Sequence, residues 1–170
     1  MILRRATIED APALAELGRR SFCVAFEHLY EPADLAAFLE AHKTTDAYAA
    51  IIGDPRQLVM LAEQEGRTMG YCTLGLDSEY AVHSDAAKPI ALGQLYIDPA
   101  LTGQGVGAKL MGWAMQEAQD RECDAIQLSV WSENFGAQRF YTRYGFAKIA
   151  DIEFWVGKQC DHEFLFEVRL

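Results

Sequence analysis

A glycine-rich segment between an apolar run and a helical pattern constrains this chain most. Residues 90–97 have the aromatic and β-branched content of a β-strand, and after a short connector Gly103, Gly105 and Gly107 stand at alternate positions. An apolar repeat of helical period begins at Val106. N–H groups at a helix N-terminus have no partner inside the helix and face outward beside the positive end of its dipole. Because glycine has no Cβ to hold a ligand away, the segment predicts an anion site, with a plain tight turn as the alternative.

Two known phosphate-binding loops can be compared with this segment. A P-loop ends in Gly-Lys-Ser or Gly-Lys-Thr, which Gly107-Ala108-Lys109 does not supply. The dinucleotide pattern G-x-G-x-x-A is met by Gly103, Gly105 and Ala108, but residues 98–102 separate it from the strand. Too little chain follows Ala108 to build the further strand–helix units of a dinucleotide fold, so NAD binding is the weaker alternative.

Composition and charge exclude several classes of protein. With 170 residues, 51% of them apolar and 24% charged, the chain is long enough for one globular domain with a sizeable core. Its net charge of −10 argues against non-specific binding to nucleic acid or to an anionic membrane. No apolar run approaches the roughly 20 residues of a membrane span, and we find no signal peptide. The four cysteines are far apart and form no C-x-x-C pair, which predicts buried thiols, no metal site and a cytoplasmic setting.

The order of predicted elements indicates one mixed α/β domain over residues 1–170. Helical patterns precede an antiparallel strand pair, and alternating strands and helices follow. The strand–helix–strand unit from Ile90 to Val130 should be parallel with a right-handed crossover, so we expect a mixed, mostly antiparallel twisted sheet with helices on both faces. The predicted strands are residues 3–6, 57–63, 68–76, 90–97, 125–130, 149–156 and 163–169. The predicted helices begin near Thr7 or Asp10, at Pro32, near Thr44 or Thr45, at Val106 and at Asn134.

A second constellation follows the glycine-loop helix. Asn134 precedes a helical segment, and Phe140-Tyr141-x-x-x-Gly145-Phe146 closes it. Together with the glycine loop it resembles the signatures of the Gcn5-related N-acetyltransferase (GNAT) family, which transfers acetyl from coenzyme A to an amine. The two signatures cover about the last 80 residues and are specific in combination. Features between Phe22 and Leu39, and the ending Phe154-x-x-Gly157, further resemble the polyamine-acetylating, PaiA-like branch.

The resemblance implies a GNAT-like domain with a splayed parallel strand pair that binds acetyl-CoA. The loop would hold the pyrophosphate, backbone groups of Leu95 and Ile97 would pair with the pantetheine, and the N–H of Tyr96 or Ile97 would donate to the thioester oxygen. Tyr141 aligns with the general acid that protonates the thiolate, and Asn134 aligns with a pantetheine ligand. The implied coenzyme residues are Leu95, Tyr96, Ile97, Thr102, Gly103, Gln104, Gly105, Val106, Gly107, Ala108, Asn134 and Tyr141.

Several of these residues have plainer interpretations. Thr102 stands where the family usually has Arg or Gln, so one polar contact to the pyrophosphate is in doubt. Tyr141 could be a core aromatic with a satisfied hydroxyl. Asn134 could cap its helix, and Trp131 could only pack.

The acceptor site is predicted in the aromatic segment 21–30, which overhangs the acceptor in the fold of this family. The general base is open, because Gln94 lies where some members place a Glu and cannot itself be a base. A carboxylate or His acting through water would suffice, with ordinary surface charge as the alternative for each candidate. Acids beside aromatic rings suit a cationic amine with an alkyl stem. The predicted substrate residues are Phe26, Glu27, Glu31 and Trp131. The candidate bases are Glu27, His28, Glu31, Asp34 and Glu63.

We therefore predict an acetyl-CoA-dependent N-acetyltransferase that needs no metal and forms no acetyl-cysteine. The amine would attack the thioester directly in a ternary complex. The expected acceptor is a small amine such as a polyamine, with a peptide N-terminus or lysine as the alternative. A non-catalytic acyl-CoA sensor on the same fold is the alternative from another class. We expect no nucleic-acid or membrane partner. A homodimer is possible by resemblance, because many members of this family form dimers.

Overall fold

Seven strands form the central sheet of the computed structural model, which describes all 170 residues. The strands are β1 (Ile2–Arg5), β2 (Gln57–Gln64), β3 (Arg67–Gly75), β4 (Pro89–Ile97), β5 (Ala125–Trp131), β6 (Ala147–Val156) and β7 (Gln159–Arg169). They lie in the order β1-β2-β3-β4-β5-β7-β6, and only β4 and β5 are parallel. The predicted mixed, mostly antiparallel sheet is confirmed.

Five helices cover the two faces of this sheet. They are α1 (Ala11–Phe26), α2 (Pro32–His42), α3 (Thr45–Gly53), α4 (Val106–Asp120) and α5 (Phe135–Thr142). Consecutive residues of β2 point to opposite faces, so Leu61 packs with Leu14 and Tyr48 of α1 and α3, whereas Met60 packs with Leu110 of α4. No helix combines the length and the apolar character that a membrane crossing requires.

The parallel pair β4 and β5 separates partway along its length. The two strands pair only where residues 89–91 face residues 125–127. On its other side β4 pairs with β3, where Leu74 faces Leu92 and Thr73 faces Gln94. Gly93 therefore has no partner and is the extra residue of a β-bulge. Meanwhile β5 stays paired with β7 as far as Trp131. Residues 92–97 therefore border a gap in the sheet, and the predicted splay is confirmed.

The boundaries of the last hairpin differ from the sequence prediction. The predicted turn at residues 157–162 is reduced to Gly157-Lys158, because β7 already begins at Gln159. β6 likewise begins at Ala147 rather than Ile149. The mostly polar residues 159–162 favour a loop by composition, but the backbone hydrogen bonds of a strand pair do not depend on side-chain polarity. This extension places Asp161 inside β7, opposite Phe154 of β6.

Candidate active site

The glycine loop presents a row of unpaired backbone donors. Gly103 and Gly105 have φ angles of 81° and 80°, and Gly105 is the residue before α4. No atom lies within 4 Å of the position that a Cβ would take on either glycine, so a ligand can approach them closely. Such a row of donors at a helix N-terminus fits the diphosphate of coenzyme A. The N–H groups without a partner in the protein belong to Thr102, Gly103, Gly105, Val106, Gly107 and Ala108.

The two polar residues of the loop have local partners. Gln104 N–H donates to Leu101 O at 3.4 Å, and the Thr102 hydroxyl donates to Pro99 O at 3.4 Å. Thr102 nevertheless borders the cleft described below, and its own N–H donates to no protein atom. The backbone of Thr102 is thus available to an anion, whereas its short hydroxyl is held by the loop itself.

A buried carboxylate anchors the chain just before the loop. Asp98 is 3% exposed, accepts a hydrogen bond from Ala100 N–H at 3.0 Å, and pairs with Arg67 at 2.6 Å and Arg20 at 3.1 Å. Burial acts to raise the pKa of Asp98, but these hydrogen bonds and charges together hold it below its ordinary value. The ionised side chain therefore fixes the end of β4 to α1 and β3, and so fixes where the loop begins.

The backbone of β4 turns alternate N–H groups into the gap between β4 and β5. Asp98 N–H donates to Met69 O of β3 at 2.9 Å, and Tyr96 faces Tyr71 of β3 two residues earlier. Because antiparallel ladder bonds alternate, the N–H groups of Leu95 and Ile97 face away from β3. Of the two predicted oxyanion donors, the N–H of Tyr96 is therefore directed to β3, and the N–H of Ile97 is the one that faces the gap.

One cleft of about 1060 Å³ opens from this gap and reaches both faces of the sheet. It brings together the predicted residues Leu95, Tyr96, Ile97, Thr102, Gly107, Asn134 and Tyr141. Aromatic side chains from α1 and β5 form one wall, where the rings of Phe26 and Trp131 meet edge to face at 6.0 Å. The loop, the gap and the aromatic segment are thus parts of one continuous site.

Tyr141 and Asn134 enter the cleft from α5 and from the turn before it. Tyr141 is half-buried against Phe140 and Phe146, and its hydroxyl has no hydrogen-bond partner in the protein. Burial, with a smaller effect of the Cys72 thiol, raises the pKa of Tyr141 above its ordinary value, so the phenol keeps its proton at neutral pH. Asn134 Oδ1 accepts from Ala137 N–H at 3.1 Å, which confirms the predicted helix cap and leaves its NH₂ group free.

An acidic pair lies on the acceptor side of the cleft, at the start of β7. Glu163 faces Trp131 across the strand pair and is half-buried in the cleft. Burial, and then the negative charge of Asp161, raises the pKa of Glu163 to about 7. Asp161 itself is 4% exposed and accepts a hydrogen bond from the Tyr30 hydroxyl. Glu163 is therefore the carboxylate in the cleft whose titration lies near neutral pH.

Most of the acids predicted from sequence lie outside this cleft. Glu27 and Glu31 are exposed and do not border it, so the substrate role predicted for them stays a prediction, whereas Phe26 and Trp131 do border it. Glu63 forms a salt bridge with Arg4 at 2.7 Å on β2. Asp34 accepts from Lys158 N–H at 3.2 Å. His28 is exposed and meets only the edge of Trp131, with ring centroids 6.1 Å apart.

Glu163 was missed because its position depends on strand register. The sequence does show bulky apolar residues at every second position, Phe164, Phe166 and Val168, with Glu163 and Glu167 in the alternate register, which indicates two different faces. Phe164, Phe166 and Val168 pack into the core on the α4 side, so Glu163 points to the other face. Only the pairing of β5 with β7 shows that this face borders the gap.

The splayed strands and the row of free amides that meet in one cleft fit a coenzyme A-dependent acyltransferase. The sequence model of the Acetyltransferase (GNAT) family matches residues 19–146, and the chain belongs to this family. The predicted family is thereby confirmed. The chain is accordingly an acetyl-CoA-dependent N-acetyltransferase, with acetyl-CoA as its co-substrate.

Named relatives support this assignment. An uncharacterized N-acetyltransferase of Mycobacterium bovis is 29% identical over 156 residues, which cover 92% of this chain and 95% of the relative. An aminoalkylphosphonate N-acetyltransferase of Salmonella typhimurium is 29% identical over 85% of this chain and 83% of its own. A spermine/spermidine N(1)-acetyltransferase of Bacillus subtilis is 31% identical over 53% of this chain and 59% of its own.

A solved structure shows the same fold. The PaiA N-acetyltransferase of Thermoplasma acidophilum, solved in complex with coenzyme A, superposes with a TM-score of 0.81 at 19% identity, covering 99% of this chain and 98% of that one. At this identity the likeness concerns the fold. Membership of the polyamine-acetylating branch stays a prediction.

Gly105 offers a direct test of the loop. We expect Gly105→Val to weaken coenzyme A binding about 10-fold or more, because a β-branched residue at a φ of 80° costs roughly 1–2 kcal/mol and shifts the neighbouring amides. The matched control is Gly112→Ala, in the middle of α4 with nothing within 4 Å of a new Cβ, which should leave affinity unchanged. Calorimetric titration with coenzyme A measures both. Unchanged affinity in a folded Gly105→Val protein would exclude the loop as the diphosphate site.

Proposed function

We propose that the chain transfers the acetyl group of acetyl-CoA to the primary amine of a small molecule, by direct attack in a ternary complex. The supporting observation is that a single cleft joins free backbone donors and Tyr141 on one side with the Glu163 carboxylate on the other. A carboxylate with a pKa of about 7 is well matched to accept a proton at neutral pH.

Each chemical need of the transfer has a candidate group in the cleft. The Glu163 carboxylate accepts a proton from the acceptor ammonium, directly or through water, and so frees the lone pair of the nitrogen. Ile97 N–H donates a hydrogen bond to the carbonyl oxygen while negative charge develops there. As the new C–N bond forms and the C–S bond breaks, the Tyr141 hydroxyl gives its proton to the departing thiolate, and the attacking nitrogen loses its second proton to water, which returns a proton to the Tyr141 phenolate.

The binding of the coenzyme is assigned to backbone groups for the most part. The amides of the glycine loop would hold the diphosphate, and Leu95 and Ile97 would pair with the pantetheine along the open edge of β4. The free NH₂ group of Asn134 lies on the same side and can donate to the pantetheine. This use of backbone explains why Thr102 can replace a longer polar residue.

The shape of the cleft favours a small acceptor. Its acceptor side lies between α1, α2 and the sheet, with rings of Phe22, Phe26 and Phe38 among its lining. Such walls fit an alkyl stem rather than a polypeptide chain. Two relatives are named for acetylating small amines, an aminoalkylphosphonate in one case and spermine or spermidine in the other. A polyamine is the acceptor expected from sequence, and Glu79, Asp161 and Glu163 supply negative charge for it.

We expect purified protein to release free coenzyme A from acetyl-CoA in proportion to an added small amine. The measurement is thiol release combined with mass spectrometry of the acetylated product, across alkylamines, diamines, amino acids and a peptide with a free N-terminus. Without amine, release should fall to the background of thioester hydrolysis. Turnover of the peptide but of no small amine would contradict the proposal. Binding of coenzyme A with no transfer to any amine would favour the sensor alternative.

A further inference from the structure

A buried lysine lies in the acceptor side of the cleft without any acid to neutralise it. Lys43, the residue after α2, is 6% exposed and borders the cleft. Its Nζ donates to Gln94 Oε1 at 3.1 Å and approaches Tyr48 Oη at 3.4 Å. It also lies 4.8 Å from the centre of the Tyr96 ring. No Asp or Glu oxygen lies within 4.0 Å of this ammonium, because Lys43 takes part in none of the salt bridges of the chain.

The partners of Lys43 are neutral and already shared. Gln94 Oε1 accepts from the hydroxyls of Tyr48 at 3.0 Å and Tyr71 at 2.8 Å as well as from Lys43. Burial lowers the pKa of Lys43 to about 8, so the amine is still mostly protonated at neutral pH. A buried charge without a counterion is costly unless a ligand supplies one. The carbonyl dipole of an amide and the faces of aromatic rings compensate this charge only in part.

Lys43 is also the only Lys or Arg among the residues that line the cleft. Three acids border the cleft: Glu79, and Asp161 and Glu163 of β7, of which Asp161 is held by the Tyr30 hydroxyl. Lys43 comes from the opposite wall, beside Gln94 on β4. The acceptor side therefore presents a negative group on one wall and a positive group on another, within a chain whose net charge is −10.

From this arrangement we infer that Lys43 binds an anionic group of the acceptor. The acceptor is then a short amine that also carries a carboxylate, phosphonate or similar anion. Its amine faces Glu163, and its anion completes the hydrogen bonding of Lys43 Nζ. This inference rests on the proposed function and narrows its acceptor class. It disfavours polyamines, because a distal ammonium would meet the Lys43 charge at short range.

Matched acceptors and three variants test the inference. The acceptors γ-aminobutyrate, aminopropylphosphonate, n-butylamine and putrescine share a short alkyl stem and differ in the charge of the far end. Lys43→Met removes the cation at similar length, and Lys43→Arg keeps it. Gln94→Glu supplies an internal counterion at nearly constant size. The readouts are kcat/KM for each amine, KM for acetyl-CoA, and calorimetric binding of each amine in the presence of coenzyme A.

We expect the wild type to prefer one of the two anionic amines over n-butylamine by about 10- to 100-fold in kcat/KM, as a charge-assisted hydrogen bond would give. Lys43→Met and Gln94→Glu should abolish this preference, chiefly through KM for the amine, while KM for acetyl-CoA stays within about 2-fold. Lys43→Arg should retain part of it. The preference for carboxylate or phosphonate identifies which anion the site takes.

Two results would overturn the inference. One is equal or better use of n-butylamine and putrescine by the wild type, which would leave the proposed function standing. The other is an equal loss for all amines in Lys43→Met and Gln94→Glu, which would indicate a structural role. If no amine is acetylated, the proposed function fails, and the calorimetric binding of the amines then tests the inference by itself. Binding that requires an anionic group and is lost in Lys43→Met supports the Lys43 site. If the wild type shows no such anion-dependent binding, the inference is overturned.

Discussion

Replacing Glu163 with Gln lowers kcat/KM for amine acetylation by about 10²- to 10⁴-fold at pH 7.5, if this carboxylate is the general base. The substitution keeps the size of the side chain and its place beside Trp131, but it removes the proton acceptor. Affinity for coenzyme A should be unchanged, because Glu163 lies on the acceptor side of the gap. Steady-state kinetics with the best small-amine acceptor and calorimetry with coenzyme A measure the two quantities.

The dependence of kcat/KM on pH tests independently whether Glu163 is the general base. The active form of a base is the ionised one, so wild-type kcat/KM should rise with pH through about 7, the pKa of Glu163. Glu163→Gln should lose this rise. The loss should also shrink near pH 11, above the pKa of about 10.4 of an alkyl ammonium, where most of the amine is already a free base and needs no proton acceptor.

Glu163→Gln should lower activity but raise the free energy of unfolding above neutral pH. The pKa of Glu163 is about 7 in the folded chain, above its ordinary 4.5, so folding favours the protonated form. This contribution is present in full below pH 4.5 and is lost as the pH rises through 7. Glu163→Gln should therefore be more stable than the wild type at pH 8, by an amount on the order of 2 kcal/mol, and about equally stable near pH 4.5.

The control for both measurements is Glu153→Gln, an exposed acid on the neighbouring β6. It should change neither the rate nor the pH dependence of stability. Equal activity of Glu163→Gln and wild type at pH 7.5 would exclude Glu163 as the base. A fall in activity with an unchanged pH profile would indicate that it only positions the acceptor.

The features that were predictable from sequence are those set by neighbours in the chain. The glycine loop was recognisable because positive φ angles and a helix start require particular residues within a few positions. Asn134 was recognisable as a cap for the same reason. The sequence motif that contains Tyr141 lies within one short helix and the residues after it. The position of Tyr141 in the cleft could therefore be predicted from the resemblance to the family.

The acceptor side could not be predicted in this way because it is built by register and packing. Glu163 reaches the cleft only because β7 pairs with β5 and places it opposite Trp131. Lys43 reaches it because α2 ends over β4 and directs the side chain to Gln94. Glu27 and Glu31 are close in sequence to aromatic residues, but the short turn after α1 leaves them in solvent. Nearness along the chain is a poor guide where several elements converge.

Tyr141→Phe should lower kcat by about 10²- to 10³-fold and leave the affinity for coenzyme A within about 2-fold of the wild type. The ring remains packed against Phe140 and Phe146, so the fold loses nothing but a hydroxyl. That hydroxyl has no partner in the protein and borders the cleft, so its removal leaves no buried group unsatisfied. The expected effect therefore isolates proton donation to the thiolate.

Tyr144→Phe is the matched control for this prediction. Tyr144 follows α5 and packs on the same Phe140, with ring centroids 5.1 Å apart, but it does not border the cleft. If Tyr141 is the acid, Tyr144→Phe keeps wild-type kinetics, and a thioester with a better leaving thiol partly restores the rate of Tyr141→Phe, because a more acidic thiol needs less help from a proton donor. Equal losses in the two variants, or a Tyr141→Phe rate that does not respond to the acidity of the leaving thiol, would place the proton source elsewhere.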